Sequence, residues 1–461
     1  MKGGAFMLAP NYGAREQAAI AMLCEEFRKN NRIDPCFYRK FDVKRGLRNA
    51  DGTGVLAGLT LICNVHGYVI NEGEREPIEG QLIYRGNNIR HIVNECFAKK
   101  RYGYEEVVYL LLFGLLPTQK ELDYFKSVLA SFRELPDGFV EDVILDVPSR
   151  NIMNKMQSAI LSLYTYDDYP DSTSIEQELQ KAISIIAKLP SIMVAAYHSR
   201  AKSFDGKSLV LHPSRLEEST AQSILSTLRY DRQYTEEEAQ LLDMMLMLHA
   251  EHGGGNNSTF TCRTLTSSGT DAYSAYAGAI GSLKGPRHGG ANLRVMEMLS
   301  ALEEAVSDCP SDSEVRDFLV KLMQKKAGDR TGLIYGMGHA VYTKSDPRAV
   351  ILKEYAMKMA KGTLFEKRFS LLEQVERLTP GVFAQIKGTE KVMCANVDLY
   401  SGLVYQMLGI PPEVFTPLFA VARIAGWAAH RMEELLTGGR ILRPAYKSVT
   451  KERPYIPLEE R

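Results

Sequence analysis

Four of the nine histidines, His249, His252, His288 and His339, stand at or beside Gly-rich interruptions in otherwise helical sequence. The interruptions are Gly253-Gly254-Gly255, Gly285 to Gly290 and Gly336 to Gly338. Any one of these histidines alone reads as a surface residue or a satisfied core residue. Clustered at helix ends they suggest a site. A helix starting near Gly289 would turn unpaired N–H groups toward an anion or a developing oxyanion. His249 and His252 are spaced to share a helix face. Breaks of this kind also let backbone approach a ligand or act as hinges.

Arginines supply a second kind of chemistry. Arg348 follows Asp346-Pro347, and Arg443 precedes Pro444 in a loop-like stretch. Arg423 lies in an apolar run with Phe419, Val421, Ile424 and Trp427. A charge there is desolvated and needs a partner, either an internal salt bridge or a bound anion. Planar guanidinium forks suit carboxylates, so three arginines with histidines suit a small dicarboxylate. Asp398, in Asn396-Val397-Asp398-Leu399-Tyr400-Ser401-Gly402, reads either as the N-cap of the next helix or as a base for a proton beside a carbonyl.

Metal chemistry is the competing reading. His249-x-x-His252 lacks the His-Glu-x-x-His spacing of zinc peptidases, and no cysteine stands nearby at ligand spacing, so no metal site is expected. The seven cysteines are widely spaced without a Cys-x-x-Cys pair, which fits reduced thiols and a cytoplasmic location. Lys plus Arg and Asp plus Glu both count 56 in 461 residues, which argues against nucleic acid or an anionic membrane as a partner. The apolar run Ala18 to Cys24 is short and flanked by charge, so no secretory signal is expected. No window reads as a membrane span; the most apolar, Val414 to Ala429, contains Pro417 and Arg423 and reads as a buried helix.

The elements that must position these residues are mostly helical. Apolar periodicity predicts helices over Arg15 to Asn30, Tyr104 to Phe113, Gln119 to Phe132, Asn151 to Tyr166, Ile175 to Ala201, Ser214 to Arg229 and Thr235 to Glu251. It continues over Ala272 to Leu283, Leu293 to Ser307, Ser313 to Lys326, Pro347 to Lys361, Phe365 to Arg377, Leu399 to Leu408 and Pro412 to Leu436. Before them, Leu59 to Val65 and Tyr68 to Ile70 suggest a strand pair turning at His66-Gly67, after the Gly-rich passage Gly46 to Gly54. Lys447 to Arg461 reads as an extended arm. The fold class is all-α, with a short β-containing N-terminal region.

Four stretches together resemble the citrate synthase family. They are Leu248-His249-Ala250-Glu251-His252-Gly253-Gly254-Gly255-Asn256, Gly285-Pro286-Arg287-His288-Gly289-Gly290-Ala291-Asn292, Gly336-Met337-Gly338-His339-Ala340-Val341-Tyr342 with Asp346-Pro347-Arg348, and Asn396-Val397-Asp398. Leu116-Pro117-Thr118 and Tyr84-Arg85-Gly86 are weaker marks, and all occur in family order. Met337, Arg287 and Leu399 depart from the residues common in the family, and Asn151 to Asn154 lacks its His-Pro-Met pattern. None of these removes a catalytic group.

The resemblance implies an acyltransferase that converts acyl into alkyl on transfer, joining acetyl-CoA to oxaloacetate. His288 would bond the thioester oxygen as the enol or enolate forms. Asp398 would take the methyl proton, and His339 would polarise the ketone. His252 and Asn256 would help bind oxaloacetate, Arg348 and Arg423 would grip its carboxylates, and Arg443 would reach in from the partner subunit of a homodimer. Tyr335, Gly336, Met337 and Gly338 would lie near the adenine end of CoA, and Arg48 near its 3′-phosphate. No cofactor is required. The implied organisation is an N-terminal region (1–87) belonging to the large domain, the large helical domain (88–288), a smaller mobile helical domain (289–404), and a return to the large domain with the arm (405–461). A 2-methylcitrate synthase using propionyl-CoA, a citryl-CoA lyase and a non-catalytic paralogue are the alternatives.

Overall fold

The computed structural model describes residues 14–49, 52–72, 74–388, 393–437 and 439–461. The start of the N-terminal region, and Ala50 and Asp51 of the Gly-rich passage, lie outside the described residues. The chain divides into two compact units, one of residues up to Gly58 with Arg443–Arg461, the other Leu59–Leu442.

In the first unit, α1 (Ala14–Asn30) is followed by the short α2 (Cys36–Lys40). Arg45 stacks over Tyr38 at 4.5 Å, and Lys447 of the arm lies 6.0 Å from the ring centre of Phe41. The second of these cation–π contacts ties the arm to the residue that ends α2.

The second unit opens with a three-stranded antiparallel sheet of β1 (Cys63–Asn71), β2 (Glu74–Tyr84) and β3 (Asn87–Asn88), in that order. This corrects the expected turn at His66-Gly67: β1 runs through both residues, with a register irregularity between His66 and Tyr68. Gly67 is there for close packing, since an added Cβ would sit 2.9 Å from the Val341 carbonyl oxygen.

Helices fill the rest. α3 (Ile89–Ala98), α4 (Tyr104–Phe113), α5 (Gln119–Ser131), α6 (Ile152–Leu163) and α7 (Ile175–Asp205) come first. Gly114 ends α4 in the left-handed region (φ 87°), and Thr118 with Glu121 forms the capping box of α5. α7 is the one helix, among the described residues, long and apolar enough to cross a membrane, and 67% of its most apolar window is buried in the protein.

α8 (Thr220–Leu228), α9 (Glu236–His249), α10 (Asn257–Ser267) and α11 (Ala272–Leu283) follow. α8 starts later than Ser214 because Ser219 and Gln222 form its capping box. Next come α12 (Ala291–Ala305), α13 (Asp312–Met323), α14 (Pro347–Ala360), α15 (Glu366–Lys387) and α16 (Asp398–Met407). α15 runs past Arg377 and through Pro380, with Leu378, Thr379 and Val382 buried around the proline. α17 (Phe415–Thr437) is buried at every residue from Phe415 to Met432. It packs against α4, α7, α9, α10 and α11, so one apolar rod organises the core. α13 packs on α15, while α12 and α14 pack on α16.

Candidate active site

α17 meets the turn after α9 through its backbone and one of its faces. Arg423 donates Nε–H to the His249 carbonyl at 2.6 Å, and the Gly426 N–H reaches the Ala250 carbonyl at 3.2 Å. Tyr84 supports the turn from the other side, its hydroxyl 2.9 Å from the Glu251 carbonyl and 3.2 Å from the Glu251 N–H. α9 ends at His249, so His249 and His252 do not share a helix face as the spacing suggested. His249 lies against Phe419 at 4.4 Å, and neither of its ring nitrogens has a hydrogen-bond partner among the described residues. Nε2 of His252 is likewise buried and unpaired. Burial, then the nearby Arg348, holds both rings well below the ordinary histidine pKa, so both are neutral.

Farther along α17, Trp427 donates Nε1–H to Ser258 Oγ at 3.2 Å. Ser258 lies in the first turn of α10, where N–H groups lack helical partners. Its N–H points at His288 Nε2 (3.3 Å), and its Oγ lies 2.9 Å from the same nitrogen. A backbone N–H can only donate, so Nε2 is the acceptor and the ring proton of His288 sits on Nδ1. Burial, then the charge of Arg423, pushes this ring down to about 4. His288 is therefore a neutral hydrogen-bond donor at physiological pH.

His339 and Asp398 share one local frame. The Gly338 N–H bonds the Cys394 carbonyl at 2.7 Å, the Asn396 N–H bonds the Gly336 carbonyl at 2.9 Å, and Asn396 Nδ2 bonds the Gly338 carbonyl at 2.9 Å. Gly336 is required twice over: its φ is 79°, and a Cβ would sit 2.7 Å from Leu399 Cα. Nδ1 of His339 accepts the N–H groups of Val341 and Tyr342, both at 3.0 Å, which leaves the ring proton of the neutral form on Nε2. His339 stacks on Tyr342 (4.6 Å) and meets His252 edge to face (5.0 Å).

Asp398 is the first residue of α16. Val397 takes the N-cap position that Asp398 was one candidate for, and Asn396 Oδ1 accepts the Asp398 N–H at 3.0 Å. Burial pushes its carboxyl up to about 6, although Arg348 and Arg423 pull the other way. Arg348 is buried and forked onto Asp346, Nε to Oδ1 at 3.1 Å and the terminal nitrogen to Oδ2 at 2.7 Å. Arg423 has no carboxylate in ion-pair range among the described residues, so the internal salt bridge that was one of its two readings is not formed. One of its terminal nitrogens is buried and unpaired.

Other expected residues are placed differently. Asn256 caps α10, with Nδ2 on the Gly253 carbonyl (2.6 Å) and Thr259 Oγ1 (2.7 Å), so its amide is taken up by the turn. Tyr335 bonds Asp329 at 2.6 Å, and Met337 bridges to Ala395. Arg48 and Arg443 belong to the other compact unit, where Arg48 bridges to Gly54 and Arg443 is exposed. Among the described residues no cluster of His, Cys, Asp and Glu could hold a metal. Ser258, Trp427, Tyr342, Glu251 and His430 were not anticipated. Trp427 was named only as apolar surroundings of Arg423, yet it is the only tryptophan in the chain, and a buried indole needs an acceptor.

Asp398, His252 and His288 all lie within the field of the buried Arg423, a set of one base and neutral rings suited to removing a proton beside one carbonyl and polarising another. Residues 50–445 match the family model described as citrate synthase, C-terminal domain. A citrate synthase of Haloferax volcanii is 36% identical over 408 residues, covering 86% of this chain and 98% of that protein. A 2-methylcitrate synthase of Shewanella oneidensis is 31% identical over 388 residues, covering 82% and 92%. The crystal structure of citrate synthase from Pyrobaculum aerophilum superposes with a TM-score of 0.71 at 31% identity, covering 88% of this chain and 94% of that one.

Proposed function

Because the chain belongs to the citrate synthase family, whose members are acyltransferases, we propose that it condenses acetyl-CoA with oxaloacetate and hydrolyses citryl-CoA to citrate and CoA. The observation that carries this reading is the meeting of His252 and His339 at 5.0 Å over the buried Arg348 and Arg423, with Asp398 raised to about 6.

Arg348 and Arg423 take the two carboxylates of oxaloacetate, with Arg443 of a second subunit completing the clamp. His252 turns its buried Nε2 to the same substrate. The Nδ1–H of His288 bonds the thioester oxygen of the acyl-CoA, and the carboxylate of Asp398 takes a methyl proton. An ordinary carboxylate is too weak a base for this step; raising Asp398 to about 6 recovers about 3 kcal/mol of the mismatch. The oxyanion that develops is held by the neutral imidazole donor. The new carbon–carbon bond forms as the enol carbon attacks the ketone, and the ketone oxygen takes the Nε2 proton of His339. Water then cleaves the carbon–sulfur bond and CoA leaves as the thiol.

Residues 289–404, which carry His339 and Asp398, act as the small domain that closes over oxaloacetate and keeps water from the enol. The Tyr335 to Gly338 backbone takes the CoA nucleotide. The reaction needs no cofactor, and the location is cytoplasmic.

Relatives of both names match, and the two substrates differ by one methylene, worth only about 1–3 kcal/mol in a pocket. Initial rates with acetyl-CoA and with propionyl-CoA, each with oxaloacetate and a thiol reagent, test the proposal. Higher kcat/KM with acetyl-CoA is expected. Higher kcat/KM with propionyl-CoA makes the chain a 2-methylcitrate synthase, and no thiol release with either refutes both.

A further inference from the structure

Glu251, fully buried beside His252, aims its carboxylate at α17. Its Oε1 accepts Nε2–H of His430 at 3.1 Å, and His430 Nδ1 accepts Nε–H of Arg263 at 3.1 Å. The chain of donors runs one way, from Arg263 through His430 to Glu251. Arg263 is also paired with Glu433 and, at 2.6 Å, with Glu434. Oε2 of Glu251 has no hydrogen-bond partner among the described residues. It lies against Gly426, where an added Cβ would sit only 2.1 Å from it. Gly426 stands one helical turn after Arg423, whose Nε is bound to the carbonyl two residues before Glu251.

The two guanidiniums of the site are thus balanced differently. Arg348 has Asp346 in a fork. Arg423 has no such fork among the described residues: the charge of Glu251, across the helix-turn junction, and that of Asp398 reach it without a hydrogen bond. We propose that Glu251 is a resident counter-charge for Arg423, stabilising the empty dicarboxylate site and, because it stays in place when a dianion binds, holding down the affinity for that dianion. This rests on the reading of Arg423 as a carboxylate-binding group. Despite its burial, His430 and then Arg423 hold the Glu251 carboxyl below its ordinary range, so it is ionised at neutral pH.

Two variants of the full-length protein test the idea through opposite signs. Glu251→Gln keeps the acceptor for His430 and the side-chain volume, and removes the charge. Arg263→Gln removes the cation behind His430 and leaves Glu251 ionised. Calorimetric titration with oxaloacetate and thermal melting, empty and saturated, are the readouts. E251Q is expected to bind oxaloacetate at least about tenfold tighter, as removal of a nearby buried like charge predicts, and to melt earlier when empty. R263Q is expected to bind about threefold more weakly. Weaker binding in both variants, which loosened packing would give, or unchanged binding in both, overturns the proposal. If E251Q is not recovered folded, R263Q decides alone, and tighter or unchanged binding overturns it. Wild-type protein that does not bind oxaloacetate speaks against the substrate reading; a wrong sign in the variants speaks against the counter-charge.

Discussion

The ring of His252 meets the ring of His339 edge to face, with centroids 5.0 Å apart and planes at 86°. The first follows the end of α9 and the second follows a two-glycine turn tied to the segment before α16. Their meeting joins the part of the molecule that carries Arg423 to the part that carries Asp398. Each ring must stay neutral to act as a fixed dipole, and for His252 burial beside Arg348 does this.

Rate should therefore depend on pH through Asp398 before any histidine. With its carboxyl raised to about 6 and His288 lowered to about 4, kcat/KM for the acyl-CoA should rise tenfold per pH unit below about 6 and flatten above it. A steady-state profile measures this. Asp398→Gly should abolish the limb with the turnover while leaving oxaloacetate affinity within a few-fold; unchanged condensation would refute its role as base.

The same carboxylate has a stability cost with a definite sign. A group whose folded pKa is raised favours folding below its unfolded value and loses that contribution as pH climbs through the folded one. Between pH 3.8 and about 6 Asp398 therefore subtracts stability, up to about 3 kcal/mol. Asp398→Asn should raise the melting temperature at pH 8 and leave it unchanged at pH 3.5, where both proteins carry a neutral group. An equal gain at both pH values would show that packing, not charge, is responsible.

Arg348 and Asp346 separate stability from binding. The fork is fully buried, so removing one partner strands a charge. Arg348→Gln should lose about 3–5 kcal/mol in denaturant unfolding. Adding Asp346→Asn should restore most of that stability but not oxaloacetate affinity, which should stay at least about a hundredfold weaker because the guanidinium is gone. Restored affinity in the double variant would remove Arg348 from the site.

Much of this was legible in the chain because capping and apolar period are local. Pro117-Thr118 announced α5, and Gly114 the end of α4. α10 was missed because Asn257–Ser267 is rich in Ser and Thr and has little apolar period; the Asn256 cap and the packing of Cys262 and Thr266 against neighbouring helices make it a helix. The His66-Gly67 pair looked like a turn because glycine marks both turns and close contacts, and only the approach of the Val341 carbonyl tells them apart. At the site, residues bearing charge or imidazole could be named singly. Their tautomers could not, because these depend on Ser258, Val341 and Tyr342, whose N–H groups become donors only in the folded chain.

Trp427 gives the most selective test of that last point. Its Nε1–H is one of the groups holding Ser258 Oγ, which sits 2.9 Å from His288 Nε2. Trp427→Phe keeps most of the buried ring but removes the donor. Ser258 then has no indole proton to accept and its hydroxyl is tethered only by its 3.0 Å bond to Asn256 Oδ1, so its hold on the ring of His288 weakens. The stability cost should be about 1–3 kcal/mol, part from the smaller ring and part from the lost hydrogen bond. The kinetic cost should fall on proton removal: kcat down about tenfold, oxaloacetate KM unchanged, and exchange of the acetyl-CoA methyl protons with deuterated solvent slowed equally. Arg423 lies on the same helix, so a variant that merely disturbed α17 would raise the oxaloacetate KM as well. A parallel rise in that KM would therefore count against the chain from Trp427 through Ser258 to His288.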